Sequence, residues 1–292
     1  MKPPPFEYVA PDSLDEVLDV LGDAGPDAKL LAGGQSLIPL LNFRLVRPQI
    51  LIDLRLVPEL RGIDEVDGGL DLGAMSRQRA IEHDALVTAR APLVVEATHH
   101  IGHLPIRTRG TIGGSLAHAD PAAEYPVVAL AIDAGLVVRG RAGSREIPAR
   151  DFFLGYLTTA LEPDEVLVRV RIPALRPRTG TAFAEVARRP GDFAIAAVAV
   201  VVTLDAESRV ESASIAVGGA APAPFRAAGA EATLTGAPIE PTVIENAARL
   251  AAEAAEPETD LQATAAYRRA ICRVLVRRAL TRAADRAIES AA

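Results

Sequence analysis

The 292-residue chain carries 31 Lys and Arg against 38 Asp and Glu, a formal net charge of −7, and is 49% hydrophobic but only 4% aromatic. The acidic balance argues against the clustered basic face that nucleic-acid binding requires, and most of the packing falls to Ala, Val and Leu. A single cysteine, Cys272, excludes a disulfide, a CxxC zinc site or an iron–sulfur cluster built within the chain, and the length leaves room for two domains or one large one.

The N-terminal stretch MKPPPFEYVAPDS has no apolar leader segment, and the longest apolar run, Ala194–Val202, is about half of what a membrane helix needs. A soluble cytoplasmic protein with no transmembrane segment is the expectation. Phe6–Val9 reads as a short extended segment. Asp12 or Ser13 then caps a helix with Leu14, Val17, Leu18 and Leu21 at helical spacing and Gly22 near its end. Lys29–Ala32 is a buried strand that runs into LLAGGQSL, a glycine pair followed by Gln35 and Ser36. Leu37–Val46 can be helical, and Gln49–Leu54 returns as a strand, so the first 55 or so residues form a small α/β unit.

Gly62–Val66 and Gly69–Ala74 predict a hairpin across Asp67-Gly68. Ser76 is expected to cap a helix to His83, and a second helix carries Leu93, Val94, Ala97 and Ile101. Next comes RTRGTIGGSLAHADPAAEYP, Arg107 to Pro126, a second glycine pair set among small hydroxyl residues, a histidine and two carboxylates. Gly113 and Gly114 can take positive φ and let another group approach the backbone, so that exposed N–H groups form a nest for an anion. Each glycine pair alone is more often a plain turn. Two of them after apolar runs, eighty or so positions apart, suit a dinucleotide held from both sides, although neither fits GxGxxG and no GxxxxGK[ST] occurs.

A helix from Ala122 to Asp133 follows, with Asp120-Pro121 as its cap and first residue. Leu136–Arg139 and Val166–Ile172 are strands, and Pro173–Gly180 is the candidate linker. Thr181–Ala187, Phe193–Leu204 and Val210–Val217 read as one antiparallel sheet, succeeded by helices over about Phe225–Leu234, Pro241–Ala254 and Ala263–Ile288. The last helix places Tyr267, Ile271, Val274, Leu275 and Ala279 on one face and its arginines elsewhere, as solvated or subunit-facing surface.

AGGQSLIPLLNFRL and IRTRGTIGGSLAHADPAAEYP together resemble the FAD-binding medium subunit of the molybdenum hydroxylases, which include aerobic carbon monoxide dehydrogenase and xanthine dehydrogenase. RRPGDFAIAAVAV and DLQATAAYRRAICRVLVRRAL resemble that subunit's C-terminal domain, so the likeness covers nearly the whole chain. It implies an α+β fold. A two-subdomain FAD-binding region of the vanillyl-alcohol-oxidase/PCMH type would span 1–175, with subdomains of about 1–55 and 56–175. A C-terminal domain of antiparallel sheet plus helices would span 180–292.

The same resemblance implies which residues meet FAD. Ala32, Gly33, Gly34, Gln35, Ser36 and Leu37 form one cradle; Thr111, Ile112, Gly113, Gly114 and Ser115 form the other. Glu124 stands where the family has a carboxylate able to accept from sugar or ribityl hydroxyls, or is simply a glutamate placed favourably in a helix's first turn. Ile101, Leu161 and Phe193 match positions that pack near the flavin. At the last of these, carbon monoxide dehydrogenase-like members commonly have Tyr, so the aromatic plane is kept and the phenol lost. Gln35 stands where a covalent attachment would want a nucleophile, which implies dissociable FAD.

His99, His100, His103 and His118 offer a ligand-like spacing but not the glutamate of HExxH, and no metal site is expected. No nucleophile–base pair or acid–base carboxylate pair marks a substrate oxidation site, which agrees with a cofactor carrying the chemistry. The family reading therefore implies two partners, a small subunit with 2Fe–2S clusters and a large subunit with molybdopterin and molybdenum, assembled as a dimer of heterotrimers. A stand-alone FAD oxidase or dehydrogenase, and a non-catalytic dinucleotide-binding scaffold, are the other readings.

Overall fold

The structure, a computed structural model, describes residues 2–290. Ser13 ends the extended N-terminus by capping the first helix, its Oγ accepting from the Glu16 N–H at 3.3 Å. Strand β1 (Glu7–Val9), helix α1 (Leu14–Ala24), β2 (Ala28–Leu31), α2 (Leu37–Asn42) and β3 (Ile50–Asp53) form a three-stranded parallel sheet in the order β1-β3-β2. Leu14, Val17, Leu18 and Leu21 bury one face of α1 against Ile52 and Leu54, as their spacing requires. Gly22 lies inside α1 rather than at its end; Gly25 at φ 55° is the stop. Helix α2 is shorter than its apolar pattern suggests, because Arg44 turns left-handed at φ 59°.

The second unit is a five-stranded antiparallel sheet, β4-β5-β10-β6-β7, made of β4 (Ile63–Val66), β5 (Gly69–Gly73), β6 (Gly135–Gly140), β7 (Gly143–Pro148) and β10 (Val166–Ile172). The Asp67-Gly68 turn has φ 51° and 77°, the paired positive values of a type I′ hairpin. Between β5 and β6 run α3 (Gln78–His83), α4 (Ala85–Arg90), α5 (Pro92–Thr98), α6 (Leu104–Arg107), α7 (Ile112–His118) and α8 (Glu124–Ala131). Ser76 does not cap α3: its Oγ donates instead to the Gly62 carbonyl at 3.0 Å, tying β4 to the exit of β5. Helix α5 stops at Thr98, so Ile101 lies beyond it. A short helix α9 (Ala149–Phe152) and the hairpin β8 (Phe153–Gly155) and β9 (Thr158–Thr159) were not apparent in the apolar pattern.

The last third is the antiparallel sheet β11 (Thr179–Ala187), β12 (Ala194–Leu204), β13 (Val210–Gly218) and β14 (Phe225–Arg226), followed by α10 (Ala228–Leu234), α11 (Pro241–Glu253) and α12 (Ala265–Glu289). Its outer face packs on α11 and α12 through Val198, Val200, Ala247, Leu275 and Ala279. Phe183, Ala197 and Ala199 face the other way and join Ala97, Val127 and Val128 of α5 and α8 in one continuous core. The small residues let helix and strand approach closely: a Cβ on Gly180 would meet the Ala283 carbonyl of α12.

The buried face of α12 is rotated from the one expected. Arg268, Cys272, Leu275, Val276 and Ala279 point inward, and Tyr267 is exposed. Arg268 is 7% exposed because its guanidinium donates to the carbonyls of Ile195 (2.6 Å) and Gly219 (2.7 Å) and to Asp260 Oδ2 (2.6 Å). Among the described residues, no helix is long and apolar enough to cross a membrane.

Candidate functional site

Strand β2 ends at the carboxyl edge of the parallel sheet, where ligands of open parallel sheets bind, and Ala32–Ser36 leave it as a loop. Gly34 at φ 75° sends the chain into α2. Among the described residues, the five consecutive N–H groups from Gly33 to Leu37 have no hydrogen-bond acceptor in the chain, and neither does the Ser36 hydroxyl. A run of backbone donors, half-exposed beyond the buried Gly33, with a hydroxyl among them is a cradle for an anion. Gln35 Nε2 braces it by donating to the Gly33 carbonyl at 3.2 Å.

The second glycine pair does something different from the turn expected of it. Gly113 and Gly114 lie in the first turn of α7 and neither has positive φ. Their N–H groups are already used: Gly113 donates to the Ala74 carbonyl at 2.8 Å, and Gly114 to Oγ1 of Thr111, the N-cap, at 3.0 Å. What the glycines supply is the absence of side chains. A Cβ on Gly114 would stand 3.2 Å from the Ala32 Cβ and 3.9 Å from the Gly33 nitrogen, and one on Gly33 would stand 2.5 Å from the Arg109 carbonyl oxygen. The fold thus brings both motifs together, the first as donor loop and the second as the wall it fits against. Thr111 and Ile112 are buried, whereas the Ser115 hydroxyl has no partner among the described residues and remains available to a ligand.

Glu124, the first residue of α8, is 5% exposed. Burial pushes its carboxyl up to about 8, with Glu185 and Asp120 adding to the effect. Asp120 is not the cap of α8; its Oδ1 accepts from the Ala122 N–H at 2.9 Å, closing a turn over Pro121 two residues before the helix begins. Glu185 of β11 reaches His100 Nδ1 at 3.3 Å with one oxygen, and its other oxygen is buried with no partner. The His100 ring lies 5.2 Å from that of Phe183.

Ile101 is buried, Leu161 half-buried, and Phe193 51% exposed in the turn of the β11–β12 hairpin. That hairpin rests on the loop after α5: a Cβ on Gly191 would stand 2.6 Å from His103 Cε1. Arg107, which the motif reading passed over, fixes the loop by donating to the carbonyls of Ile101 (2.9 Å) and Gly102 (3.1 Å) and to Glu82 (3.1 Å). His99 faces the same Glu82 at 3.7 Å, and His118, on α7, is lowered by burial. The histidines are therefore dispersed: they serve Glu82, Glu185 and the hairpin rather than converging.

The donor loop, the side-chain-free wall and the buried carboxyl fit a dinucleotide whose diphosphate is neutralised by backbone N–H groups. Comparison with known proteins agrees. Residues 4–175 match the family described as FAD binding domain in molybdopterin dehydrogenase, and 181–283 match the CO dehydrogenase flavoprotein C-terminal domain. The chain is 40% identical over 283 residues to the carbon monoxide dehydrogenase medium chain of Hydrogenophaga pseudoflava, covering 97% of this chain and 98% of that one. It is 41% identical over 287 residues to the 6-hydroxypseudooxynicotine dehydrogenase complex subunit alpha of Paenarthrobacter nicotinovorans, covering 98% and 97%. A solved carbon monoxide dehydrogenase from Hydrogenophaga pseudoflava, lacking the Mo-pyranopterin moiety, superposes with a TM-score of 0.96 at 42% identity, over 98% of this chain and 99% of that one.

Proposed function

The chain belongs to the FAD-binding medium subunits of the molybdenum hydroxylases, and from that membership we propose that it relays electrons from the 2Fe–2S clusters of a small partner subunit to an external acceptor. A large molybdopterin subunit completes the assembly, as a dimer of heterotrimers in the cytoplasm. FAD is held without a covalent bond and supplies the redox chemistry, joining one-electron carriers to a two-electron acceptor.

The residues of this chain bind and position. The N–H groups of Gly33–Leu37 and the hydroxyls of Ser36 and Ser115 donate to the diphosphate and the chain of hydroxyls beside it. Gly33 and Gly114 keep the two walls close. Glu124, held protonated near neutral pH by its burial, both donates and accepts at a ribityl hydroxyl. Ile101, Leu161 and Phe193 exclude water from the flavin ring. The observation that carries this reading is the run of five backbone donors without acceptors, set against a helix start stripped of side chains.

The test is the visible absorbance spectrum of the purified chain before and after adding FAD and then dithionite. Flavin bands that bleach on reduction, without an iron–sulfur shoulder, support the reading. Co-expression with candidate small and large subunits then reads the assembly. A colourless chain that ignores FAD would refute the proposal and leave the fold alone.

A further inference from the structure

Between β4 and the start of α3 lies a concavity of about 530 Å3, lined by Arg61, Gly62, Ile63, Met75, Ser76, Arg77, Ala80 and Asp84. That size is within the range of small-molecule sites, roughly 300–1,000 Å3. Its cations make no ion pair within the cleft, although the Asp84 carboxylate shares the lining. Among the described residues, Arg61, Arg77 and the neighbouring Arg109 form no salt bridge. Arg61 donates to the Arg55 carbonyl and Arg77 to the Arg109 carbonyl, so each guanidinium is anchored by one nitrogen and keeps other donors unspent.

The nearby carboxylates are committed elsewhere. Asp53 accepts from the Tyr8 hydroxyl at 2.7 Å and the Arg55 N–H at 2.9 Å. Asp84 Oδ1 accepts from the N–H groups of Leu86 (2.8 Å) and Val87 (3.0 Å) at the start of α4. Half-burial and the charges of Arg109 and Arg61 push the Arg77 guanidinium below its ordinary value, an effect that the charge of Asp53 offsets only in part. In a chain of net charge −7, such a cluster marks a place where an anion is wanted.

We propose that this cleft binds a nucleoside phosphate, with Arg61 and Arg77 holding the phosphate group and Ile63, Met75 and Ala80 forming the apolar wall beside the base and ribose. Two sources share this chemistry. One is the adenosine-phosphate end of the dinucleotide, because Arg77 is bonded to the Arg109 carbonyl against which Gly33 packs. The other is a separate nucleotide. The first source rests on the proposed FAD function; the cleft itself does not.

The probe is ADP, titrated calorimetrically into the FAD-free and the FAD-saturated chain, with adenosine as the phosphate-free control. ADP is expected to bind one per chain, adenosine far more weakly. Arg61→Gln and Arg77→Gln should each weaken ADP about tenfold or more, the loss expected when a charge-assisted hydrogen bond to phosphate is removed. Binding that survives FAD saturation identifies a separate nucleotide. Binding that FAD abolishes, with FAD retention weakened in the same two variants, identifies the dinucleotide's own phosphate. Arg61 is exposed, so its variant reads the site even if Arg77→Gln unsettles the Arg109 loop. ADP that fails to bind either form, or binds Arg61→Gln and a wild-type-melting Arg77→Gln as well as wild type, overturns the proposal. A chain that ignores FAD but binds ADP in an Arg61-dependent way refutes the flavin reading and leaves the cleft standing.

Discussion

Gly33 and Arg109 meet backbone to backbone: a Cβ on Gly33 would stand 2.5 Å from the Arg109 carbonyl oxygen and 2.8 Å from the Gly110 Cα. Real Cβ atoms do not approach backbone this closely, and neither neighbour is a flexible side-chain end that could swing away. The contact is the place where the parallel-sheet unit touches the loop before α7, so it sets the width of the cradle.

Gly33→Ala should therefore push the two walls apart, costing about 1–3 kcal/mol as overpacking does elsewhere, and flavin retention should fall by more than tenfold. Equilibrium dialysis against FAD, alongside thermal melting, reads both effects. Gly25→Ala is the control, since nothing lies within 4 Å of a Cβ there, although its φ of 55° adds local strain. Full FAD retention in Gly33→Ala would mean the cradle is elsewhere.

Glu124 gives the fold a pH dependence of definite sign. Its carboxyl rises from 4.5 to about 8 on folding, through burial first and then Glu185 and Asp120. Below about pH 4.5 it is protonated in both states and contributes nothing. Between there and about pH 8 the unfolded chain gives up the proton and the folded chain keeps it, so stability falls as pH rises. The accumulated loss is on the order of a few kcal/mol. Glu124→Gln cannot ionise, so its advantage over wild type should grow from acid to alkaline pH in chemical denaturation. Two parallel pH profiles would show that Glu124 does not carry this dependence.

Phe193 is half-exposed in the turn of the hairpin that rests on His103. Because little protein packs on the ring, Phe193→Ala should leave stability within about 0.5 kcal/mol. Loss of an aromatic contact is worth about 0.5–1.5 kcal/mol, so FAD should bind two- to tenfold more weakly, with Phe193→Tyr restoring it. A flavin fluorescence titration checks this. Unchanged affinity in Phe193→Ala would remove the hairpin from the site.

Much of this was legible in the residues, and what was not has identifiable causes. The first glycine loop was readable only together with the second, because one glycine pair after an apolar strand is more often a plain turn. The Asp67-Gly68 hairpin was readable from its turn chemistry, and β12 as one unbroken apolar run of strand length. At Gly113-Gly114 sequence pattern misled, because glycines suggest a turn while Thr111 quietly offers an N-cap, and a cap can outweigh low helix propensity when tertiary contacts hold the start in place. Ser76 misled in the opposite way: a good capping residue spent its hydroxyl on Gly62 across the hairpin. The arginines were hardest. Arg77 and Arg268 act through carbonyls distant in sequence and Arg107 through the distant carboxylate of Glu82, and local spacing carries no trace of such partners.

Arg268 shows how far that extends, and it yields the last prediction. Apolar spacing in α12 puts Tyr267 inward and arginines outward, yet Arg268 is the side chain that enters the sheet edge. The carbonyls of Ile195, at the start of β12, and Gly219, just past β13, lie close together and need a donor; Arg268 supplies one nitrogen to both. Its other nitrogen meets Asp260, whose carboxyl is thereby held down to about 2, helped by the N–H groups of Ala263 and Gln262. Arg268→Met fills similar space but leaves two carbonyls short of a donor, at roughly 1–3 kcal/mol each where they stay buried. Thermal melting should show the C-terminal unit losing about 2–4 kcal/mol in this variant, with Arg268→Lys recovering part of it. Asp260→Asn should cost much less, since that side chain is half-exposed and the two carbonyls keep their donor. Its contribution is present above the ordinary aspartate range and disappears as pH falls through about 2, so the Asp260→Asn and wild-type melting curves should converge in acid while Arg268→Met stays below both. If Arg268→Met melted with wild type at neutral pH, the carbonyls would have found water, and the buried arginine would be a consequence of the packing rather than one of its causes.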